Sequence, residues 1–420
     1  MRYLVVLAAR SAWNRRLTLG LVVISIALSV TLLLGIERMR TDLRAGFAQS
    51  VSGTDLVVGA RTSAVQLMLY AVFRIGEATQ NIRYASVEAL AAHPAVAWIV
   101  PLSLGDSHRG FPVLGTTEAY FSHFRYGERR ALSFVVGQPF AGVFDAVLGA
   151  EVAERLGYRL GDRITLTHGI GLGQAAEHAD KPFTVVGVLA RTGTPVDRSV
   201  HVSLAAIEAI HLDWQGGAPV PGLAIAAEHV GKFDLKPKQV TAALVGLKSR
   251  AGVFALQRHV NEFRDEPLLA VLPGVALDQL WQVVGVGERA LRAVSGLVVA
   301  VGLAGLVAVV LAGLNERRRE LAILRSVGAR PAHVFWLLAL EGLAVTVAGA
   351  ALGVVLLNGL TFGLAPWLES RYGLALSALG LPAGELRWLA WVVGIGWLAS
   401  LLPGLRAYRL SLGDGLTPRV

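Results

Sequence analysis

The 420-residue chain is predicted to be a polytopic α-helical membrane protein of four transmembrane helices, with a large α+β domain inserted between helices 1 and 2. Three observations predict this. The composition is 54% hydrophobic and 16% charged, where a soluble chain is nearer about 25% charged. Four apolar runs are uncharged or nearly so over membrane-spanning lengths. Between the first and second, residues 37–286 mix strand-like and helix-like periodicity and hold all five lysines and nine of the ten histidines. The formal net charge of +9 would also suit a nucleic-acid partner. However, the arginines cluster beside the apolar runs, where they act as topology signals, and no nucleic-acid-binding motif accompanies them. The absence of cysteine excludes disulfides and thiolate metal sites.

Residues 1–16 are expected to form a short amphipathic helix on the cytoplasmic face, and residues 17–36, "LTLGLVVISIALSVTLLLGI", the first span. Twenty uncharged residues reach about 30 Å as a helix, one hydrocarbon thickness. The run is longer than a signal-peptide core, and "LLLGIERMR" has no small-x-small cleavage site, so it is read as a retained span. Ile36, Met39, Leu43 and Phe47 recur at helical spacing and extend this helix beyond the membrane. Leu277, Leu280, Trp281 and Val284 do the same before the second span, so the domain is expected to stand on a stalk of two helices.

Within 37–286, the segments 55–60, 96–104, 163–167, 183–189 and 200–204 are β-branched runs bounded by Gly, Pro or Asp and read as strands. Segments 86–93, 150–158 and 203–211 have helical spacing. Gly161-Asp162 marks a turn, and residues 170–180 read as a loop.

The second span is 294–314. It is followed by "NERRRELAILRSVGARP" (315–331), a charged helix whose apolar stripe includes Leu321, Leu324 and Val327. Glu316 and Glu320 near its start and Arg325 near its end suit the helix dipole, and Gly328 and Pro331 end it. Such a helix can lie on lipid headgroups, or it can dock its ridge into a groove on a cytoplasmic partner. The third span, 334–360, is interrupted only by Glu341. A short external loop, 361–387, leads to the fourth span, 388–405, and a tail, 406–420. Arginines precede span one, fill the 315–331 segment and follow span four, so the positive-inside rule puts both termini in the cytoplasm.

The stretch "ERRRELAILRSVGARPAHVFWLLALEGLAVTVAGAALGVVLLNGL" (316–360) resembles the signature of the FtsX, MacB and LolC class of ABC-transporter permeases. "LAARSAWNRRLTLGLVVISIALSV" (7–30), "LGAEVAERLGYRLGDRITL…FTVVGVL" (148–189) and "ASLLPGLRAYRLSLGDGL" (399–416) resemble further parts of that family in the same order. The resemblance implies a bacterial inner-membrane permease with a periplasmic domain after span one, paired with a second, identical copy. It makes 315–331 a coupling helix whose Glu316, Arg317, Arg319, Glu320, Leu321, Leu324, Arg325 and Gly328 contact a cytoplasmic ATPase dimer. No cofactor is expected in this chain: it has no G-x-x-x-x-G-K-[ST], so ATP and Mg would be bound by that separate partner. Lipoprotein, peptide or amphiphile handling is the implied task, with a periplasmic carrier or adaptor as a further partner.

Glu341 is expected to make a structural contact, because a carboxylate at membrane depth is costly. Gly349 and Gly353 form a small-xxx-small face, expected to pack a dimer. His168, His178, His201 and His211 fall within 44 residues, with Asp180, Asp197 and Asp213 nearby. Neutral imidazoles suit zinc, but no i, i+4 pair marks a metal site. No catalytic set can be nominated, and the chain is not expected to be an enzyme. Two alternatives stay open: a zinc-linked transport system using the histidine-bearing domain, and an FtsX-like regulator of a periplasmic hydrolase.

Overall fold

The computed structural model describes residues 16–409 except 77, 170–176, 216–217, 221, 223–224, 317–325, 327 and 373–379. The chain divides into two compact units, one comprising residues 1–42, 285–368 and 376–420, the other residues 43–284 and 369–375.

The first unit is built from the greater part of four long apolar helices, α1 (Arg16–Gln49), α8 (Pro273–Glu316), α9 (Pro331–Tyr372) and α10 (Ala383–Arg409), of which residues 43–49, 273–284 and 369–372 belong to the second unit. Each contains a stretch long and apolar enough to cross a membrane. Their shared core includes Ile26, Val30 and Leu34 of α1, Leu306 and Val310 of α8, Leu338 and Leu357 of α9, and Val392 of α10. Leu17, Val301, Phe362 and Trp391 are exposed on the outer faces, as expected of helices apolar all round and bathed in lipid. Polar side chains are satisfied locally: Ser29 donates to the carbonyl of Ser25 at 2.8 Å and Thr346 to that of Gly342 at 2.8 Å.

Two expectations are corrected here. The segment 361–387, expected as a loop, is helical as far as Tyr372, with Pro366 inside α9, and α10 continues through Pro403 to Arg409. Proline is tolerated where neighbouring helices and side chains re-satisfy the freed backbone groups. The small-residue face expected to meet a second copy is taken by α1 of the same chain. A Cβ at Gly349 would lie 2.8 Å from Ile26 Cβ, and one at Gly353 would lie 2.8 Å from the Ala27 carbonyl oxygen. Thr31 Oγ1 also donates to the Gly353 carbonyl at 3.0 Å. Glu341 is buried at 4% exposure.

The second unit holds an eleven-stranded mixed sheet. Its strands are β1 (Leu56–Ala60), β2 (Val96–His108), β3 (Phe111–Thr116), β4 (Phe134–Gly137), β5 (Asp145–Leu148), β6 (Arg163–Ile164), β7 (Thr167–His168), β8 (Phe183–Leu189), β9 (Val200–Ser203), β10 (Ala242–Leu247) and β11 (Leu268–Val271). The order is β11-β1-β10-β2-β3-β9-β5-β8-β4, with β7 added to β2 and β6 to β8. The β3–β9 and β5–β8 pairs are parallel, and the others antiparallel.

Helices α2 (Ala64–Ala71), α3 (Tyr84–Ala91), α4 (Ala119–His123), α5 (Ala150–Leu156), α6 (Leu204–Ile210) and α7 (Val253–Asn261) cover the faces. Alternation assigns each side. Leu56 and Val58 pack with Val87, Leu90, Leu256 and Val260, from α3 and α7, while Val57 packs with Leu67, Met68 and Tyr120, from α2 and α4. A strand buried on both faces reads as a continuous apolar run. A further core joins β5, β8 and β9 to α5 and α6 through Leu148, Phe183, Val202 and Ile210. The turn expected at Gly161-Asp162 is present: Gly161 has φ +87°, and Asp162 Oδ2 accepts from the Arg159 N–H at 2.7 Å.

Candidate metal centre and coupling segment

Four donors converge in the second unit: Asp106, His168, His178 and His211, with one ligand atom from each within 4.8 Å of the others. Asp106 lies near the end of β2, where the β2–β3 register shifts between Leu104 and Ser107. That irregularity lets β2 pair there with β7, setting Asp106 opposite His168. His211 follows α6 as its C-cap. His178 is anchored by its backbone N–H, which donates to the Leu166 carbonyl at 2.9 Å.

His168 Nδ1 donates to Asp106 Oδ1 at 3.1 Å, and this hydrogen bond raises the pKa of His168 despite partial burial. His211 Nδ1 donates to the Ile207 carbonyl at 2.7 Å, so its Nε2 carries the lone pair. That Nε2 lies 3.1 Å from His168 Nδ1 and 3.8 Å from Asp106 Oδ1. His178 is fully buried, and among the described residues neither of its ring nitrogens has a hydrogen-bond partner. Burial, and then the neighbouring His211, push its pKa down to about 4, so its imidazole is neutral at ordinary pH. Trp214 packs against this ring, centroid to centroid 4.2 Å, and also flanks His168 and His211.

His201, expected beside these histidines, is not among them. Its ring is buried against Tyr120 and Phe121, and its Nδ1 lies 3.2 Å from the Val147 carbonyl. Strand alternation is the reason, because His201 points into the core between β9 and α4. The nearby aspartates have other partners too. Asp180 and Asp213 both accept from the fully buried Lys181 Nζ, at 2.7 and 2.8 Å. Asp197 accepts from the Thr192 and Gly193 N–H groups. Asp106, missed in the sequence, sits 62 residues before His168. Its one signal is the Gly105-Asp106 pair interrupting an apolar strand.

The first unit contains a charged junction. Arg38 of α1 donates through Nε and Nη2 to the two carboxylate oxygens of Glu385 on α10, each at 2.7 Å, and through Nη1 to Asn358 Oδ1 on α9 at 2.9 Å. Both charged side chains are buried, at 5% and 3% exposure. Of the expected coupling residues, Arg317, Arg319, Glu320, Leu321, Leu324 and Arg325 lie outside the described residues. Glu316 closes α8, and Gly328 has φ +101°, the left-handed conformation that suits a helix stop.

Family models match both halves of the chain. The MacB-like periplasmic core domain matches residues 17–243 and the FtsX-like permease C-terminal domain residues 292–412. The chain belongs to the MacB/FtsX-type ABC-transporter permeases, a multi-pass inner-membrane protein with a MacB-like periplasmic domain between its first and second membrane helices. Among solved structures, it is similar to the periplasmic region of MacB from Actinobacillus actinomycetemcomitans, at 11% identity and TM-score 0.34, over 56% of this chain and 94% of that one. It is also similar to the extracellular domain of the ABC-type transporter YknZ from Gram-positive bacteria, at 12% identity and TM-score 0.29, over 52% of this chain and 99% of that one. Among curated proteins none matches the chain.

Proposed function

We propose that this chain is the membrane-spanning subunit of a mechanotransmission ABC transporter. A separate cytoplasmic ATPase dimer binds ATP and Mg, and two copies of this chain carry its closure to their periplasmic domains. The observation that carries this is the pairing of the two family models on one chain, a MacB-like domain and an FtsX-like permease region. The arginine distribution supports cytoplasmic termini and a cytoplasmic 315–331 segment, within reach of the ATPase. Helix α8 supports a mechanical link. At 44 residues it is about 66 Å long, roughly twice a hydrocarbon thickness.

The cargo is read as a lipoprotein, peptide or small amphiphile. An open groove of about 680 Å³ in the periplasmic unit supports this, with Val51, Leu272, Leu277 and Trp281 supplying apolar walls and Arg44, Asp55, Arg250 and Asp278 the charge. Co-expression with the ATPase tests the coupling. Leu324→Asp is expected to return ATP hydrolysis to the unstimulated rate while membrane insertion is retained; fully stimulated hydrolysis in that variant would remove the docking reading. Tight binding of a periplasmic hydrolase, without transport, would favour a regulator in place of a transporter.

A further inference from the structure

We propose that the periplasmic domain carries a mononuclear site for a divalent transition-metal ion of the zinc class, held by His168, His178, His211 and Asp106. Three imidazoles and one carboxylate form a donor set that zinc accepts in tetrahedral geometry. With bonds of about 2.0–2.1 Å, the donors of such a site stand about 3.3 Å apart. Here three of the donor separations are 3.1, 3.1 and 3.8 Å, close to those of a tetrahedral face, and a bound ion would displace the proton that His168 Nδ1 donates to Asp106. The fourth donor, on His178, closes the set within 4.8 Å.

Two further features point to an ion rather than to a hydrogen-bond network alone. The fully buried His178 leaves both ring nitrogens without partners among the described residues. A buried polar group of that kind is costly unless something binds it. His211 supplies the second, since its Nδ1–H is engaged by the Ile207 carbonyl and its Nε2 is directed at the cluster. This outer hydrogen bond, to a backbone carbonyl, is the one that metal-ligating histidines use to set their tautomer. The carboxylate would leave a bound divalent ion with one net positive charge, which the neutral imidazoles tolerate.

The site is open on one side. Asp106 and His178 form a buried floor, and the His168 and His211 side chains are 38% and 25% exposed at the mouth. Its ligands come from β2, β7, the chain before β8 and the end of α6. The sheet and helices around it have their own apolar cores, so the ion can leave without unfolding the domain. The site is therefore an exchanging one, whose ion is accessible to the solvent or to a carrier. It stands on the periplasmic unit alone and does not depend on the ATPase reading.

The test is a titration of the full-length chain, purified in detergent without a histidine tag and stripped with chelator, using Zn(II) and Co(II). One ion per chain is expected, with the intense visible absorption of tetrahedral Co(II) displaced by Zn(II). His178→Ala and His211→Gln are each expected to weaken binding at least about 100-fold, beyond the usual loss from an outer partner. His201→Phe, at a buried histidine outside the set, is expected to bind as the parent does. Thermal melts of the stripped proteins identify variants that fail to fold. Weak octahedral Co(II) binding, or equal affinity in folded His178→Ala, would overturn the proposal.

Discussion

His201 and Lys181 show how burial sets the behaviour of single residues. The pKa of His201 is lowered to about 3 by burial, and then by Arg74, against the hydrogen bond to the Val147 carbonyl. An unfolded histidine titrates near 6.5, so the unfolded chain takes up this proton first. The stabilising contribution is complete above about pH 6.5 and is lost as pH falls toward about 3. The full-length chain should lose stability through this window by up to about 1.4 kcal/mol per pH unit from this group alone. His201→Phe, which keeps a ring beside Tyr120, should flatten that part of the pH dependence of the melting temperature. An unchanged profile would place the acid sensitivity elsewhere. Lys181 is fully buried and donates to both oxygens of Asp213, at 2.9 and 2.8 Å. Lys181→Met strands that carboxylate, and a loss of about 3–5 kcal/mol in denaturant unfolding is expected. Adding Asp213→Leu should recover much of it.

Among the elements, α1, α9 and α10 are held by two contrasting devices. At the Arg38 junction, a bidentate ion pair is buried where an unpaired charge would be costly. Arg38→Ala is therefore expected to lower the thermal stability of the detergent-solubilised protein more than Arg38→Met combined with Glu385→Leu. The reverse order would mean that the pair, rather than the penalty for breaking it, supplies the stability. The second device is backbone approach. Gly353→Val would push a side chain into Ala27 and Val30, and about 1–3 kcal/mol of destabilisation is expected in the same melts. Much at this scale was legible. The strands at 55–60, 183–189 and 200–204 and the helices at 86–93, 150–158 and 203–211 all lie within a few residues of the observed elements. Strands β3, β4, β5, β10 and β11 escaped; in β3, β5 and β10, burial on both faces or a high content of Ala, Gly and Pro erases the alternation that marks a half-buried strand.

For the whole molecule, the proposed coupling requires that ATP binding on one side bias a conformation on the other. The chain lacks cysteine, so one introduced thiol gives one reporter. Val135 is 71% exposed on β4 and suits a spin label. In the reconstituted complex, a label at Val135→Cys is expected to give an inter-copy distance that shifts when ATP is trapped, and no shift with Leu324→Asp. Absence of any dipolar distance in singly labelled complexes, measured within range, would count against a pair of identical copies.

Spans, charge bias and the family signature are local in sequence, because hydropathy, arginine placement and short motifs depend on neighbours along the chain. They were therefore readable without a fold. Convergence is not local. Whether His168 meets Asp106 depends on strand register, where a slip of one residue turns each side chain to the opposite face. Residue type and spacing could not separate His201, which points into the core, from His211, which caps a helix at the cluster. Only tertiary structure decided that Gly349 and Gly353 pack α1, that Arg38 reaches Glu385 across 347 residues, and that three of the four nominated histidines share a site with Asp106.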